Sequence, residues 1–236
     1  MDYKNYISKI SFSLIEPFDQ GVFLLPDHST YSMIDIKNTI LPYEDDKMKA
    51  ILSEICQMPR MSTFAIAAIV NKIVSNMPSD QSFVNVGVWH GFSFLSGLAG
   101  NPDKSCVGVD NFSEFGGPRK EFNDRFNKYR SDKHLFYDMD YVDYFSKIHN
   151  DPIGFYIYDG NHSKENQLQG LKVAEPFFAK DCLILIDDIN WPDPMEGTNA
   201  FIKQSRYKYK IIVEQRTSNN CHPTFWNGIA IMQRID

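Results

Sequence analysis

Tyr156-Ile157-Tyr158-Asp159 and, further along, Leu183-Ile184-Leu185-Ile186-Asp187-Asp188 are apolar runs that stop abruptly at carboxylates. A buried parallel strand delivers polar groups to the rim of a sheet in this way. The stretch between them reads as a helix and is long enough for a crossover, so the two strands can lie parallel and adjacent. Neighbouring strands are about 4.8 Å apart. Asp159, Asp187 and Asp188 are therefore expected to crowd one small volume, at a cost unless a cation, a proton or hydrogen-bond donors compensate.

Working outward, strands and helices alternate. Strands are expected at 83–88, 106–110, 134–137, 155–158 and 182–186, with helices at 92–99, 118–130, 141–148, 164–174 and 197–205 between and after them. Two last strands, 210–214 and 228–232, lack a helix between them and are expected to pair as an antiparallel hairpin at one edge. Before the first strand, Ile66, Ile69, Val70, Ile73, Val74 and Met77 recur at helical spacing over 61–77, with Ser62 placed to cap the start and Asn71, Lys72, Ser75 and Asn76 opposite. The pattern predicts an α/β fold: a Rossmann-like, doubly wound, mostly parallel seven-stranded sheet with helices on both faces and an antiparallel edge strand.

Residues 61–236 are read as this one domain, and 1–60 as an appendage, irregular up to residue 44 and then helical over 45–57. Phe12, Leu14, Ile15, Phe18 and Val22 to Leu25 make it too apolar for a disordered tail, so it is expected to cover the site or to join two copies of the chain in a homo-oligomer.

The 236 residues, 43% hydrophobic and 23% charged, suit one large globular α/β domain. A formal charge of -6 without a Lys/Arg cluster argues against nucleic acid as a partner. No stretch approaches the roughly 18 apolar residues of a membrane span. Four scattered cysteines form no CxxC pair, and no secretory leader is apparent, so a reducing cytoplasm is expected.

The first strand of the domain runs into Val84-Asn85-Val86-Gly87-Val88-Trp89-His90-Gly91-Phe92-Ser93. Gly87 admits a sharp turn and a ligand close to the backbone, and Gly91 opens a helix whose first amides favour an anion. The spacing is GxxxG, not GxGxxG. The second strand ends in Val107-Gly108-Val109-Asp110-Asn111, which places Asp110 close to the roughly 20-residue offset at which an acid grips a ribose diol. A cap of the following turn is the competing role for Asp110 and Asn111.

These segments, with YIYDGNHS and LILIDDINW in that order, make residues 60–235 resemble the class I S-adenosylmethionine-dependent methyltransferases. The resemblance is greatest to the small-molecule O-methyltransferase branch that includes the macrocin O-methyltransferase and cephalosporin-hydroxylase-like groups. It implies S-adenosylmethionine as cofactor and a hydroxylated small molecule (sugar, glycoside or phenolic) as substrate. By the same resemblance Gly87, Val88, Trp89, Gly91 and Ser93 would face the methionine part, Asp110 with Asn111 the ribose, and Asp138, Met139 and Asp140 the adenine. Family members usually carry an acid two residues before the first glycine. Asn85 stands there instead; it can accept from the cofactor's ammonium but forms no ion pair.

Beyond the fourth expected strand, His162 follows Asp159 by three residues across Gly160, so both can point into one mouth. An imidazole among carboxylates can take a proton from a hydroxyl. Three carboxylates also suit a hard cation such as Mg²⁺. The layout further resembles the metal-dependent O-methyltransferases, including the catechol type. That resemblance implies Asp159, Asp187 and Asp188 as metal ligands and His162, aided by Asp159, as the catalytic base. Trp191 walls a substrate pocket or packs under a loop. His28, His134, His149 and His222 show no partner in the sequence and read as surface residues. Two other classes stay open: a nicotinamide-dependent oxidoreductase, and a non-catalytic nucleoside-cofactor-binding module.

Overall fold

The computed structural model describes residues 1–17, 34–42 and 46–236. The apolar residues Phe18 and Val22 to Leu25, His28, and the expected helix start at Asp45 lie outside the described residues.

The sheet forms because alternate residues of each strand feed two separate cores. Phe83, Cys106, Phe155 and Leu183 pack on one face. Val84, Val107, Tyr156 and Ile184 pack on the other. Strands buried on both sides must be apolar nearly throughout, which is what the runs ending in Asp159 and Asp187 display. The domain strands are β3 (Ser82–Val86), β4 (Ser105–Asp110), β5 (His134–Asp138), β6 (Ile153–Tyr158), β7 (Phe178–Ile186), β8 (Tyr209–Gln215) and β9 (Ile229–Arg234). A small antiparallel pair precedes them, β1 (Ser11–Phe12) with β2 (Thr39–Ile40).

The seven-stranded sheet has the order β5-β4-β3-β6-β7-β9-β8. From β5 to β7 all neighbours are parallel, whereas β9 runs antiparallel to both β7 and β8. The fold is Rossmann-like α/β, as expected. The chain winds outward from β3 to β5, then returns beside β3 and winds the other way, so the topological switch lies between β3 and β6. Ligands bind at this crevice in open α/β sheets.

The helices are α1 (Tyr3–Ser8), α2 (Asp46–Ile55), α3 (Phe64–Asn76), α4 (Phe92–Leu98), α5 (Arg119–Tyr129), α6 (Tyr141–Lys147), α7 (Lys164–Ala174) and α8 (Pro192–Gln204). Three features, two of them in α3, differ from expectation for identifiable reasons. Thr63, not Ser62, caps α3, accepting from the Ile66 N–H while its own hydroxyl reaches the Thr224 carbonyl at 2.6 Å. Asn71 is not on a solvated face: it is buried, and its amide donates at 2.8 Å to the Ser96 and Ala99 carbonyls at the end of α4. The last helix starts at Pro192 instead of Gly197, because prolines at the first turn need no N–H partner.

The N-terminal segment is more regular than its sequence suggests, contributing α1 and the β1–β2 pair. It is tied down by Asp35, fully buried, whose carboxylate meets the Arg60 guanidinium at 2.9 Å and accepts from the Phe64 N–H at 2.7 Å. Among the described residues, no helix is long and apolar enough to cross a membrane.

Candidate active site

The glycine turn leaves β3 at Val86 and passes through Gly87 with φ +78°. A Cβ on Gly87 would lie 2.0 Å from the Asp159 carbonyl oxygen, so two strand ends approach here more closely than a side chain permits. Hydrogen bonds lock the turn on both sides. Gly87 N–H donates to Val109 O at 2.9 Å, and Asp159 N–H donates to Val86 O at 2.8 Å.

Asp110, at the end of the adjacent strand, is the anchor of the turn. Its Oδ2 accepts from the Val88 N–H (2.8 Å) and the Trp89 N–H (2.9 Å), and its Oδ1 from the Phe112 N–H (2.7 Å). Trp89 has φ +47°, and its indole N–H donates to Phe115 O at 3.0 Å. The turn and the loop after β4 are thereby held together.

Between them lies a cleft of about 270 Å³, near the small end of ligand pockets at roughly 300 Å³. Of the expected cofactor residues, Gly87, Trp89, Asp110, Asn111, Met139 and Asp140 line it, and so does Asp159. Others do not. Val88 is buried against the position of Gly108, and Gly91 adopts φ +101° to start α4 beside Leu95 and Phe122. Ser93 lies in the first turn of α4. Asp138 is drawn to the surface by Arg119, in a two-point ion pair at 2.6 and 3.0 Å. Asp140 also caps α6, accepting from Val142 N–H at 2.8 Å. Asn85 is fully buried beneath the turn: its amide donates to Gly87 O at 2.9 Å, and its Oδ1 has no partner. A buried orphan acceptor beside the turn fits a ligand that brings its own donor, such as an ammonium.

Sequence reading missed Phe112, Phe115, Tyr141, Tyr158 and Asn166 as cleft residues. The Phe115-Gly116-Gly117-Pro118 turn was the available signal for the first two, since it holds a loop against the mouth. Tyr158 hides as a strand residue, and Ser163 to Asn166 as an ordinary helix start.

The acidic strand tips converge as expected, and His162 sits among them. Its Nε2 lies 3.5 Å from Asp159 Oδ1 and 3.7 Å from Asp188 Oδ2. Burial alone would lower its pKa. The pairing with Asp159 and the charges of Asp188 and Asp187 outweigh that, and lift it to about 9. Burial, aggravated by Asp188 and Asp159, pushes the Asp187 carboxyl well above the usual carboxylate range, and its Oδ1 has no partner. Burial also raises Asp188, against the opposing pull of His162 and the Asn227 amide. Trp191 stands 6.4 Å from His162, ring to ring, and is exposed at the rim.

Asp159, Asp187 and Asp188, the expected metal ligands, surround His162 closely enough to act on its charge. Among the described residues, no three His, Cys, Asp or Glu side chains are grouped so as to hold a metal ion. The reading of the histidines is corrected. His134 (1% exposed), His149 (5%) and His222 (0%) are buried, each bound through a ring nitrogen, to Asn101 O, Tyr144 Oη and Thr224 Oγ1 respectively. His90 meets the Arg125 guanidinium through Nδ1 at 2.9 Å.

Comparison with known proteins agrees with this geometry. Residues 84–189 match the family described as a methyltransferase domain. No curated protein matches the sequence. Among solved structures, a SAH-bound methyltransferase of Podospora anserina superposes with a TM-score of 0.60 at 13% identity, over 92% of this chain and 100% of that one. An O-methyltransferase of Bacillus cereus in complex with SAH gives 0.59 at 13%, over 88% and 99%. TomG of Streptomyces achromogenes, an O-methyltransferase of tomaymycin synthesis in complex with SAM, gives 0.56 at 11%, over 90% and 100%. From the strand before the glycine turn to the acidic tip of β7, the chain thus matches the methyltransferase-domain family, within a fold it shares with these enzymes.

Proposed function

We infer that the protein transfers a methyl group from S-adenosylmethionine (SAM) to a hydroxyl of a small molecule. The observation that carries this reading is the cleft at the β3/β6 switch, where the Asp110-anchored glycine turn opens directly beside the Asp159–His162 pair. The family match over the same residues and the SAM- and SAH-bound neighbours support it. The reaction is a direct displacement, so the protein's main contribution is alignment of oxygen, methyl carbon and sulfur within about 3–3.5 Å. Gly87 and Asn85 are assigned to the amino-acid end of the cofactor, Asp110 and Asn111 to the ribose, and Met139 and Asp140 to the adenine. His162, steadied by Asp159, takes the proton of the acceptor hydroxyl.

Calorimetric titration with SAH tests the cofactor assignment, and transfer of a labelled methyl from SAM to a panel of sugars, glycosides and phenols tests the acceptor class. Absence of SAH binding at millimolar concentration sinks the reading.

Assistance by a divalent cation is favoured by one observation, the buried, unpartnered Oδ1 of Asp187 beside two further carboxylates. Asp159, Asp187 and Asp188 are not grouped to hold an ion as they stand. They would have to draw together around a hard ion such as Mg²⁺, which would supply acidification of a bound hydroxyl. Titration with Mn²⁺ followed by electron paramagnetic resonance decides it: no bound ion at millimolar Mn²⁺ leaves proton removal to His162 alone.

A further inference from the structure

Asp188 is not free to choose its position. Its backbone adopts φ +56°, a left-handed conformation uncommon outside glycine. Its neighbours are zipped to a loop near the C-terminus: Ile189 N–H donates to Gly228 O at 3.2 Å, and Asn190 N–H donates to Asn227 O at 2.8 Å. From that same loop the Asn227 side chain, 5% exposed, reaches back. Its Nδ2 donates to Asp188 Oδ1 at 2.8 Å, while its Oδ1 accepts from the Cys221 N–H at 2.7 Å. Both ends of the amide are occupied, so its orientation is fixed: a flipped amide would set a donor against Cys221 N–H and an acceptor against a carboxylate. The other oxygen of Asp188, Oδ2, is the one that faces His162.

We propose that Asn227 is a positioning residue of the acceptor side: by holding one oxygen of Asp188 it aims the other at His162 and so fixes the imidazole against Asp159. This rests on the methyl-transfer reading for its chemical purpose, but not for its geometry. Asn227 lies outside residues 84–189, so the part of the chain that matches the methyltransferase-domain family does not include it. It also stays clear of the cofactor cleft, whose lining contains neither Asn227 nor Asp188. The two sides of Asp159 are thus set by different devices. Asp110 builds the cofactor turn, and Asn227 sets the acceptor pair.

The test uses the full chain and two substitutions. Asn227→Leu is nearly the same size and removes both hydrogen bonds. Asn227→Asp, measured at pH 8, keeps an acceptor for Cys221 N–H and replaces the donor to Asp188 with a second carboxylate oxygen that repels it, so it stays informative where the leucine variant fails to fold. The readouts are SAH affinity by calorimetry and the ¹H–¹⁵N ring signals of His162, assigned by comparison with His162→Gln. The expected result is SAH affinity within twofold of the unaltered protein, with the His162 ring signals displaced in both variants. Ring signals at unaltered positions in a folded Asn227→Asp protein overturn the proposal. So does a tenfold or greater loss of SAH affinity, which would make Asn227 a general support of the fold. Failure of the unaltered protein to bind SAH removes the methyltransferase reading, while the ring signals still decide the role of Asn227.

Discussion

The Oδ2 of Asp110 accepts from the backbone N–H of Trp89 at 2.9 Å, across the gap between two parallel strands. With Val88 and Phe112 also donating to this carboxylate, Asp110 is a structural part of the glycine turn before any ligand arrives. Hydrogen bonds to a charged group contribute about 1.5–3 kcal/mol each, less where water can replace them. Asp110→Ala is therefore expected to destabilise the ligand-free protein by on the order of 2–3 kcal/mol. For a chain of this size that lowers the melting temperature by roughly 5–10 °C. Amide exchange at residues 88 and 89 should quicken as well. A variant that melts like the unaltered protein, and loses only SAH affinity, would restrict Asp110 to ligand contact.

Gly87 gives a sharper expectation. Its φ of +78° alone costs an L-residue about 1–2 kcal/mol. The added methyl would also meet the Asp159 carbonyl oxygen, a backbone atom that cannot rotate away. Gly87→Ala must push β3 and β6 apart at the mouth, so SAH affinity is expected to fall at least a hundredfold even where the protein still folds. Circular dichroism separates loss of fold from loss of binding. An alanine variant with unaltered affinity would show that the turn is not where the cofactor lies.

Much of this was legible in the sequence, and the reason is periodicity. Strands buried on both faces and stopped by carboxylates announce themselves, so the sheet, its antiparallel edge and the meeting of Asp159, Asp187 and Asp188 follow from local pattern. What escaped detection has no period. Thr63 rather than Ser62 caps α3 because the Thr224 carbonyl, far along the chain, is within reach of it. His134 read as a surface group because its partner, Asn101 O, lies 33 residues back in the chain; His149 did so because its partner, Tyr144 Oη, meets it only where the chain turns at the end of α6. Asn227 sits in a loop of turn residues, and nothing in Trp226-Asn227-Gly228 hints that an acidic strand tip is its partner.

The raised pKa of His162 sets a pH dependence. With a folded value of about 9, above the roughly 6.5 of the free side chain, the ring carries its proton at neutral pH. The ion pair therefore stabilises the fold fully below about pH 6.5, and this contribution is lost as pH rises through 9. A base must first lose that proton, so methyl transfer is expected to rise with pH toward about 9. Asp159→Asn removes the largest raising influence, and should move both the NMR titration of the ring and the rising limb of the rate to lower pH. A rate that is flat between pH 6.5 and 9 would take His162 out of the proton-transfer step.

His134 and His149 act in the opposite sense. Burial lowers the pKa of each, partly offset by the Asn101 carbonyl at His134 and by Asp151 at His149. A histidine held neutral in the folded state contributes stability above its unfolded value of about 6.5, and loses it as pH falls through the lower folded value. The fold is therefore expected to weaken on acidification below pH 6.5, before most carboxylates titrate. Denaturant midpoints at pH 7.5 and pH 5 measure the loss. His134→Gln keeps a side-chain amide near the Asn101 carbonyl without a titrating ring, so it should cost some stability at pH 7.5 yet narrow the gap between the two midpoints. An unchanged gap in that variant, and in His149→Gln, would mean that the acid sensitivity arises elsewhere.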